Sequence, residues 1–474
     1  MFATLTATLT LALELAGFFL ALRAVLIART PQSAVAWSVG LIVFPLLAIP
    51  LFLVFGESQF GGYLRAVEDP TGALGDLLKK VQAGAKRVAT SGAGTFGEAA
   101  SLGQRLSGLP ATGGNNLKLL LDGEETFQAV FEAIDKAERS LWIQFFIIRD
   151  DRLGKALADR VGEAAARGVD CRVLFDQVGS KTLTHGWVES LRRRGVRVEA
   201  FITNRQFGRR FQINFRNHRK LVLADARTAF VGGLNVGDEY MGRSPRFGPW
   251  RDTHLRIEGP ATQMFQVSFA EDWHYVTGEM LTSDHEPAVE AGPAIVLPVA
   301  SGPAEAWSVC PAVYLSIIQN TRERLWIASP YFVPSSPLMY ALCHAALRGV
   351  DVRLLLPQMA DHTLPWLSSF TFYPKLRAAG VRVWRYQPGF MHQKVLLSDR
   401  DTAIVGSVNL DYRSFMLNFE LAAAIQDPAF ARMVEQMWVA DLAKSREEDL
   451  GAFENGSLAF RLKCRLAALM SPEQ

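Results

Sequence analysis

The sequence predicts an α/β protein built from two related halves in series, each a mixed sheet sandwiched by helices, behind an N-terminal transmembrane helical hairpin. Three observations carry this reading. The stretch NHRKLVLADARTAFVGGLN at residues 217–235 returns near the other end as MHQKVLLSDRDTAIVGSVN at residues 391–409. Shorter blocks around it repeat in the same order. Two strongly apolar segments, residues 3–22 and 34–55, open the chain.

Those two segments come first. Residues 3–22 are apolar apart from Glu14, and residues 34–55 carry no charge. Each is long enough to cross hydrocarbon about 30 Å thick, and with Arg23 and Arg29 between them they read as a two-helix anchor over residues 1–56. A cleaved signal peptide is the rival for the first segment, but it lacks a basic start and a second apolar run follows at once. Pro45 and Pro50 are tolerable inside a membrane helix. Orientation stays open: the positive-inside rule applied to Arg23 and Arg29 puts the connector in the cytoplasm, yet Arg65, Lys79, Lys80, Lys86 and Arg87 lie downstream. The 49% hydrophobic content agrees with membrane segments, and a net charge of +3 is too mild to argue for nucleic acid. Four scattered cysteines without a CxxC pair suggest buried thiols, with neither a disulfide framework nor a zinc site.

Residues 57–116 mix a helical stretch at 74–88 with Gly, Ala, Ser and Thr, and read as a juxtamembrane helix and linker. The basic helix face either lies on anionic headgroups or stands solvated. The two halves are placed at residues 117–292 and 293–474. SLWIQFFI at Ser140 parallels RLWIASPYF at Arg324, each an apolar strand. RGVDCRVLF at Arg167 parallels RGVDVRLLL at Arg348, a helix end turning through Gly into a strand. LRRRGVRV at Leu191 parallels LRAAGVRV at Leu376. Helix and strand alternate until each half reaches its long repeat.

Within the long repeat, His218, Lys220, Asp225, Gly232 and Asn235 match His392, Lys394, Asp399, Gly406 and Asn409 in spacing. Alternation along a strand turns each His and Lys to the same side. The Asp lies an odd number of residues from the His, so Asp225 and Asp399 complete the two motifs but fit a loop-fixing role better than contact with substrate. The glycines follow a second apolar strand, where a missing side chain lets backbone or ligand approach closely. Two half-sites brought together across a pseudo-twofold axis would gather two imidazoles, two ammoniums and two carboxamides. That set suits a phosphodiester: Lys and Asn hold non-bridging oxygens, one His attacks phosphorus and the other protonates the leaving oxygen, with no metal or cofactor required.

The doubled HKD pattern resembles the phospholipase D superfamily. FRNHRK, GGLNVGDEY, PWRDTH, SPYFVP, GFMHQK and GSVNLDYRSFMLNFE look like the bacterial cardiolipin synthases within it, over nearly the whole chain. The first copy has Gly233 where the superfamily has Ser and the second copy has Ser407, a departure those synthases share. The resemblance implies two phospholipase D-like α-β-α sandwich domains, with His218, Lys220, Asp225, His392, Lys394 and Asp399 as the catalytic set. It also implies that an acidic residue downstream orients each His, and Asp252 and Glu420 stand at the matching positions. Asp411, Arg413 and Ser414 are expected near the site, bracing sheet ends or forming a structural ion pair. The remaining histidines, His362 and His254 among them, lack the repeat and read as ordinary.

Two segments bear on the lipid. Between residues 205 and 219, Arg205, Arg209, Arg210, Arg216 and Arg219 interleave with Phe207, Phe211 and Phe215. Beside a membrane anchor this reads as an interfacial loop admitting anionic lipid, ahead of nucleic-acid binding or a plain basic loop. The C-terminal RLKCRLAALMSP reads as a basic amphipathic helix, for which core packing is the simpler assignment. The implied reaction converts two phosphatidylglycerols to cardiolipin and glycerol at the bacterial inner membrane, with His218 as nucleophile by analogy. Anionic phospholipid and membrane are the expected partners, and nucleic acid is not. Hydrolytic phospholipase D activity and transfer using phosphatidylethanolamine are same-chemistry alternatives. A superfamily nuclease and a scaffold with a decayed site are the rivals from other classes.

Overall fold

The computed structural model describes residues 2–28, 30–56, 63, 73–202, 214–281, 289–303 and 307–470. Among the described residues, fifteen strands follow one another across one sheet. In the first half they are β1 (Thr112–Leu121), β2 (Ser140–Phe145), β3 (Asp170–Asp176), β4 (Arg197–Phe201), β5 (Leu221–Ala224), β6 (Thr228–Gly232) and β7 (Thr253–Glu258). In the second they are β8 (Ala294–Ser301), β9 (Arg324–Ala328), β10 (Asp351–Pro357), β11 (Arg382–Tyr386), β12 (Val395–Ser398), β13 (Thr402–Gly406) and β14 (Asn418–Gln426), with β15 (Ser445–Glu447) at the far edge.

Their spatial order is β15-β11-β10-β9-β12-β13-β14-β8-β1-β7-β6-β5-β2-β3-β4. Read outward from the centre, the two halves have the same order: β1-β7-β6-β5-β2-β3-β4 matches β8-β14-β13-β12-β9-β10-β11. In each, the three outer strands run parallel and the remaining pairs are antiparallel. Helices cover both faces, so the parallel strands bury apolar centres such as Ile143, Val173, Val198, Leu354 and Val383, although charged residues such as Arg172, Glu199, Arg353 and Arg385 interrupt them. The halves meet where β1 pairs antiparallel with β8. Asn115 pins that seam: its amide donates to Thr112 O at 2.7 Å and Ala294 O at 3.1 Å and accepts from Ala261 N at 2.9 Å.

The anchor departs from the expected pair of full spans. α1 (Phe2–Ile27) is long enough to cross, whereas residues 34–55 divide between α2 (Pro31–Val43) and α3 (Pro45–Phe55). The break falls at Phe44 (φ −130°, ψ 56°), because Pro45 has no N–H to continue the helix and disfavours helical backbone in the residue before it. The chain then turns back. The rings of Trp37 and Phe52 lie 5.3 Å apart, although in one continuous helix their Cα atoms would be separated by about 22 Å. Gly17 lets α1 approach this turn, since a Cβ there would stand 2.3 Å from Leu41 O and 3.2 Å from Pro45 Cβ. Among the described residues of these helices, Gly17, Ala21, Ala24, Leu41, Ala48 and Phe52 are buried, and leucines and phenylalanines cover the outside.

The stretch expected as linker is partly core. α4 (Ala73–Ala85) buries Leu77, Val81 and Ala85 in the central cluster, and Tyr63 donates to Asp272 at 2.9 Å. α5 (Gly94–Ser107) buries Phe96, Ala99 and Ala100 against the second half, and Gly103 lies under Leu297. β1 itself starts at Thr112, so the expected boundary at 116/117 cuts through a strand. Composition misled here: Gly, Ala, Ser and Thr look like linker but also permit close helix packing. On the face shared by both halves, α6 (Ala261–Thr277) and α9 (Pro428–Leu442) cover the central cluster, while α7 (Val309–Asn320) covers the opposite face of the second half.

Candidate active site

Each His precedes its strand rather than lying within it, and each is held by the other half. Arg216 and Asn217 pair in parallel with Asn418 and Phe419 at the start of β14. Phe390 and Met391 pair in the same way with Trp250 and Arg251, just before β7. The backbone of His218 therefore donates to Phe419 O, and that of His392 to Arg251 O, both at 2.8 Å. This exchange decides which carboxylate stands behind which ring. His218 Nδ1 lies 2.9 Å from Glu420, and His392 Nδ1 lies 2.8 Å from Asp252. Each imidazole takes the acid of the opposite half.

With Nδ1–H donated to a carboxylate, Nε2 is left as the free nitrogen of each ring. Both rings line one cleft of about 640 Å³, together with Phe146, Arg216, Asn235, Tyr240, Trp250, Tyr331, Asn409 and Asn418. Asn235 is oriented by Ile147 N, which donates to its oxygen at 3.1 Å, and its amide nitrogen meets the Tyr240 hydroxyl at 3.3 Å. The side-chain oxygens of Asn409 and Asn418 are buried without a hydrogen-bond partner. The Asn418 amide already donates to Glu420 at 3.2 Å, whereas that of Asn409 can turn its NH₂ to an anionic oxygen entering the cleft.

Lys220 and Lys394 lie fully buried behind the rings, and each ammonium donates to the carbonyl of its own motif's His. Burial brings Lys220 down to about 7 and Lys394 to about 8, against the attraction of Glu420 and Asp252. Burial also drives His218 down to about 4 against the pull of Glu420, with Lys220 adding to the fall. His392 is lowered by burial and Lys394, with Asp252 opposing. Burial alone would raise Asp252 and Glu420, but their bonds and attraction to the histidines hold both below the ordinary carboxylate range. A bound phosphodiester would favour the protonated lysines and an imidazolium.

The two motif glycines answer to the neighbouring strand. A Cβ at Gly232 would meet the His254 ring at 2.4 Å, and one at Gly406 would meet Ala422 Cβ at 2.4 Å. The Gly233/Ser407 difference follows from the acids. A Cβ at Gly233 would stand 2.1 Å from Asp252 Oδ1, whereas Ser407 Oγ donates to the longer Glu420 at 2.5 Å.

Asp225 and Asp399, grouped by the resemblance with the catalytic residues, do not line the cleft. They sit in the turns at the far ends of β5 and β12 with positive φ (53° and 51°). Asp225 accepts backbone N–H bonds from Glu138, Arg139 and Ser140, and Asp399 from Arg322, Glu323 and Arg324. Arg413 bonds to Asn214 at 3.1 Å, and Asp411 caps the short helix that follows it, accepting from Ser414 N at 2.7 Å. Ser414 Oγ in turn accepts from Asn409 N at 3.2 Å. His362, read from sequence as ordinary, stands on the cleft wall beside Asp361. Tyr331, Asp361 and the Arg149–Glu239 pair also line the cleft; no spacing signalled them. Arg205, Phe207, Arg209, Arg210 and Phe211 lie outside the described residues.

Comparison with known proteins identifies the family. The family described as "Cardiolipin synthase, PLD-like domain" matches residues 130–273 and 314–441, one match in each half. Cardiolipin synthase A of Pseudomonas aeruginosa PAO1 is 43% identical over 464 residues, covering 97% of this chain and 94% of that protein. Cardiolipin synthase A of Pseudomonas syringae pv. syringae B728a is 41% identical, covering 97% and 96%. Among solved structures, phosphatidylserine synthase of Haemophilus influenzae Rd KW20 superposes with a TM-score of 0.62 over 80% of this chain and 100% of that one, at 15% identity. That last likeness is one of fold.

Proposed function

The chain belongs to the cardiolipin synthase family of phospholipase D-like proteins, and from that premise we propose that it is a membrane-associated phosphatidyltransferase joining two phosphatidylglycerols into cardiolipin with release of glycerol. The observation that carries the proposal is the pair of carboxylate-backed imidazoles on one cleft with two buried lysines behind them. A hydrolase would use the same groups. The family relationship over nearly the full chain favours transfer.

In the proposed reaction, His218 Nε2 attacks the donor phosphorus while the bond from phosphorus to the glycerol oxygen breaks. Nε2–H of protonated His392 gives its proton to that oxygen, and glycerol departs. The now neutral His392 takes the proton of the second phosphatidylglycerol's headgroup hydroxyl as its oxygen attacks phosphorus. The N–P bond breaks, and cardiolipin leaves with both rings restored. A neutral His218 is the competent nucleophile, which its lowered pKa supports. Donor charge entering beside His392 favours the protonated ring that the acid role needs. Lys220, Lys394, Asn235 and Asn409 are proposed to balance charge on the non-bridging oxygens. Asp252 and Glu420 would fix the tautomers, and Asp225 and Asp399 would fix the turns. We place the protein at the bacterial inner membrane.

Purified enzyme given only phosphatidylglycerol should yield cardiolipin and glycerol in equal amounts. Phosphatidic acid as the main product would mean that water is the acceptor and the hydrolase reading is correct.

A further inference from the structure

The C-terminal helix α10 (Leu458–Ala468) has two unlike faces. One packs inward: Cys464 and Ala467 are buried, and Phe460 meets the Phe370 ring at 5.3 Å. The other carries Leu458, Leu462 and Leu466, exposed by 75%, 56% and 55%, and Leu469 (75%) and Met470 (48%) extend it through the final turn. At about 100° per residue these five fall within roughly a third of the helix circumference. Arg461 and Arg465 border one edge of the stripe and Lys463 the other, all three exposed. An apolar stripe between basic borders is the pattern of a helix lying in a lipid–water interface, with leucines in the acyl boundary and cations at the headgroups. The simpler assignment, core packing, accounts for only the other face.

Position adds a second argument. α10 packs on the helix α8 (Thr363–Ser369). The first residues of α8, Thr363, Leu364 and Pro365, line the catalytic cleft, and Leu364 is itself half-exposed. A bilayer touching the stripe would lie about one helix diameter, roughly 10 Å, from the cleft wall. We propose that α10 is an interfacial membrane helix which seats the cleft against an anionic lipid surface. The N-terminal helices already hold the chain at the membrane, so α10 works at high effective concentration and orients more than it anchors. The proposal rests on the reading that the substrate is a membrane lipid.

The test uses full-length enzyme in phosphatidylglycerol-containing vesicles. A polarity-sensitive fluorophore is attached at Leu462→Cys on a Cys343→Ser background, because Cys343 is the one native thiol that is not buried. The emission should shift to the blue and be quenched by brominated lipid, whereas the same probe at Arg432→Cys should do neither. In the second arm, Leu462→Glu/Leu466→Glu should lower turnover on vesicles by about tenfold or more, the effect of losing roughly one buried leucine. Turnover on monomeric short-chain phosphatidylglycerol should stay within about twofold of wild type. An unquenched probe, or an equal loss on both substrates, overturns the proposal. A blue shift indifferent to lipid bromine and lost on dilution would assign the stripe to a second copy of this chain instead. If the enzyme makes no cardiolipin at all, the functional reading falls while the quenching arm still judges the helix.

Discussion

Replacing Gly233 by Ser puts the second motif's residue into the first, and the structure says it will not fit. The new Cβ would lie 2.1 Å from Asp252 Oδ1, so the carboxylate must retreat by about 1.3 Å to reach ordinary van der Waals separation. The clash falls on Oδ1, which accepts from Thr253 N at 2.8 Å, and relieving it should displace the Oδ2 that holds His392, now 2.8 Å away. A hydrogen bond to a charged group contributes about 1.5–3 kcal/mol, which corresponds to a loss of roughly 10- to 150-fold in kcat. Because the damage falls on the proposed leaving-group acid, it should shrink with a phosphatidyl donor bearing nitrophenol, which needs little protonation. Adding Asp252→Glu recreates the Ser407–Glu420 arrangement and should restore part of the rate. The assay is initial-rate cardiolipin formation from pure phosphatidylglycerol, with circular dichroism to exclude unfolding. Full activity in Gly233→Ser would refute the packing argument, and equal losses with both donors would refute the assignment of His392 as acid.

Four further outcomes are expected. With a nitrophenyl donor, His392→Ala should accumulate a phosphatidyl group on His218, while His218→Ala should neither label nor turn over; label on His392 in the latter would reverse the roles. Asp225→Ala removes three backbone bonds and should lower the unfolding free energy by about 2 kcal/mol while leaving KM near wild type, and a selective collapse of kcat in fully folded protein would contradict a turn-fixing role. Lys220 and Lys394 have folded pKa values near 7 and 8, below their unfolded value, so the unfolded chain binds more protons there and stability should rise from about pH 7 to 8.5 by on the order of 1–2 kcal/mol; phosphate should flatten the rise, and a melting temperature that falls over this window would exclude it. A fragment starting near Lys86 should fold better than one starting at Leu117, which loses α5 and half of β1; equal melting temperatures would show the opposite.

Much of the site was legible because a repeat carries its own control. The spacing of His, Lys, Asp, Gly and Asn marked the two segments that meet at one cleft, whereas odd–even counting assumed a strand that includes neither the His nor the Asp. The aspartates stand apart from the rings because they occupy the turns beyond Ala224 and Ser398. The crossing of Glu420 to His218 and Asp252 to His392 was not legible, since spacing within one half cannot say which half a side chain will face. Pro45 marked the break at Phe44, but proline is common enough in membrane helices that the turn-back needed the Trp37–Phe52 contact to be seen. Cleft residues such as Asp361 and His362 come from a loop outside the repeat, where pattern gives no handle.

The exchanged carboxylates make the two copies a single inheritance. Severed from its fellow, either half would keep an imidazole and an ammonium but lose the acid that sets the proton. Drift around Trp250 is felt at His392, some 140 positions away, and drift around Phe419 is felt at His218. Selection therefore cannot tune one copy while the other stands still. A descendant that specialised one motif for donor and the other for acceptor would have had to carry both changes through the same pair of crossed strands.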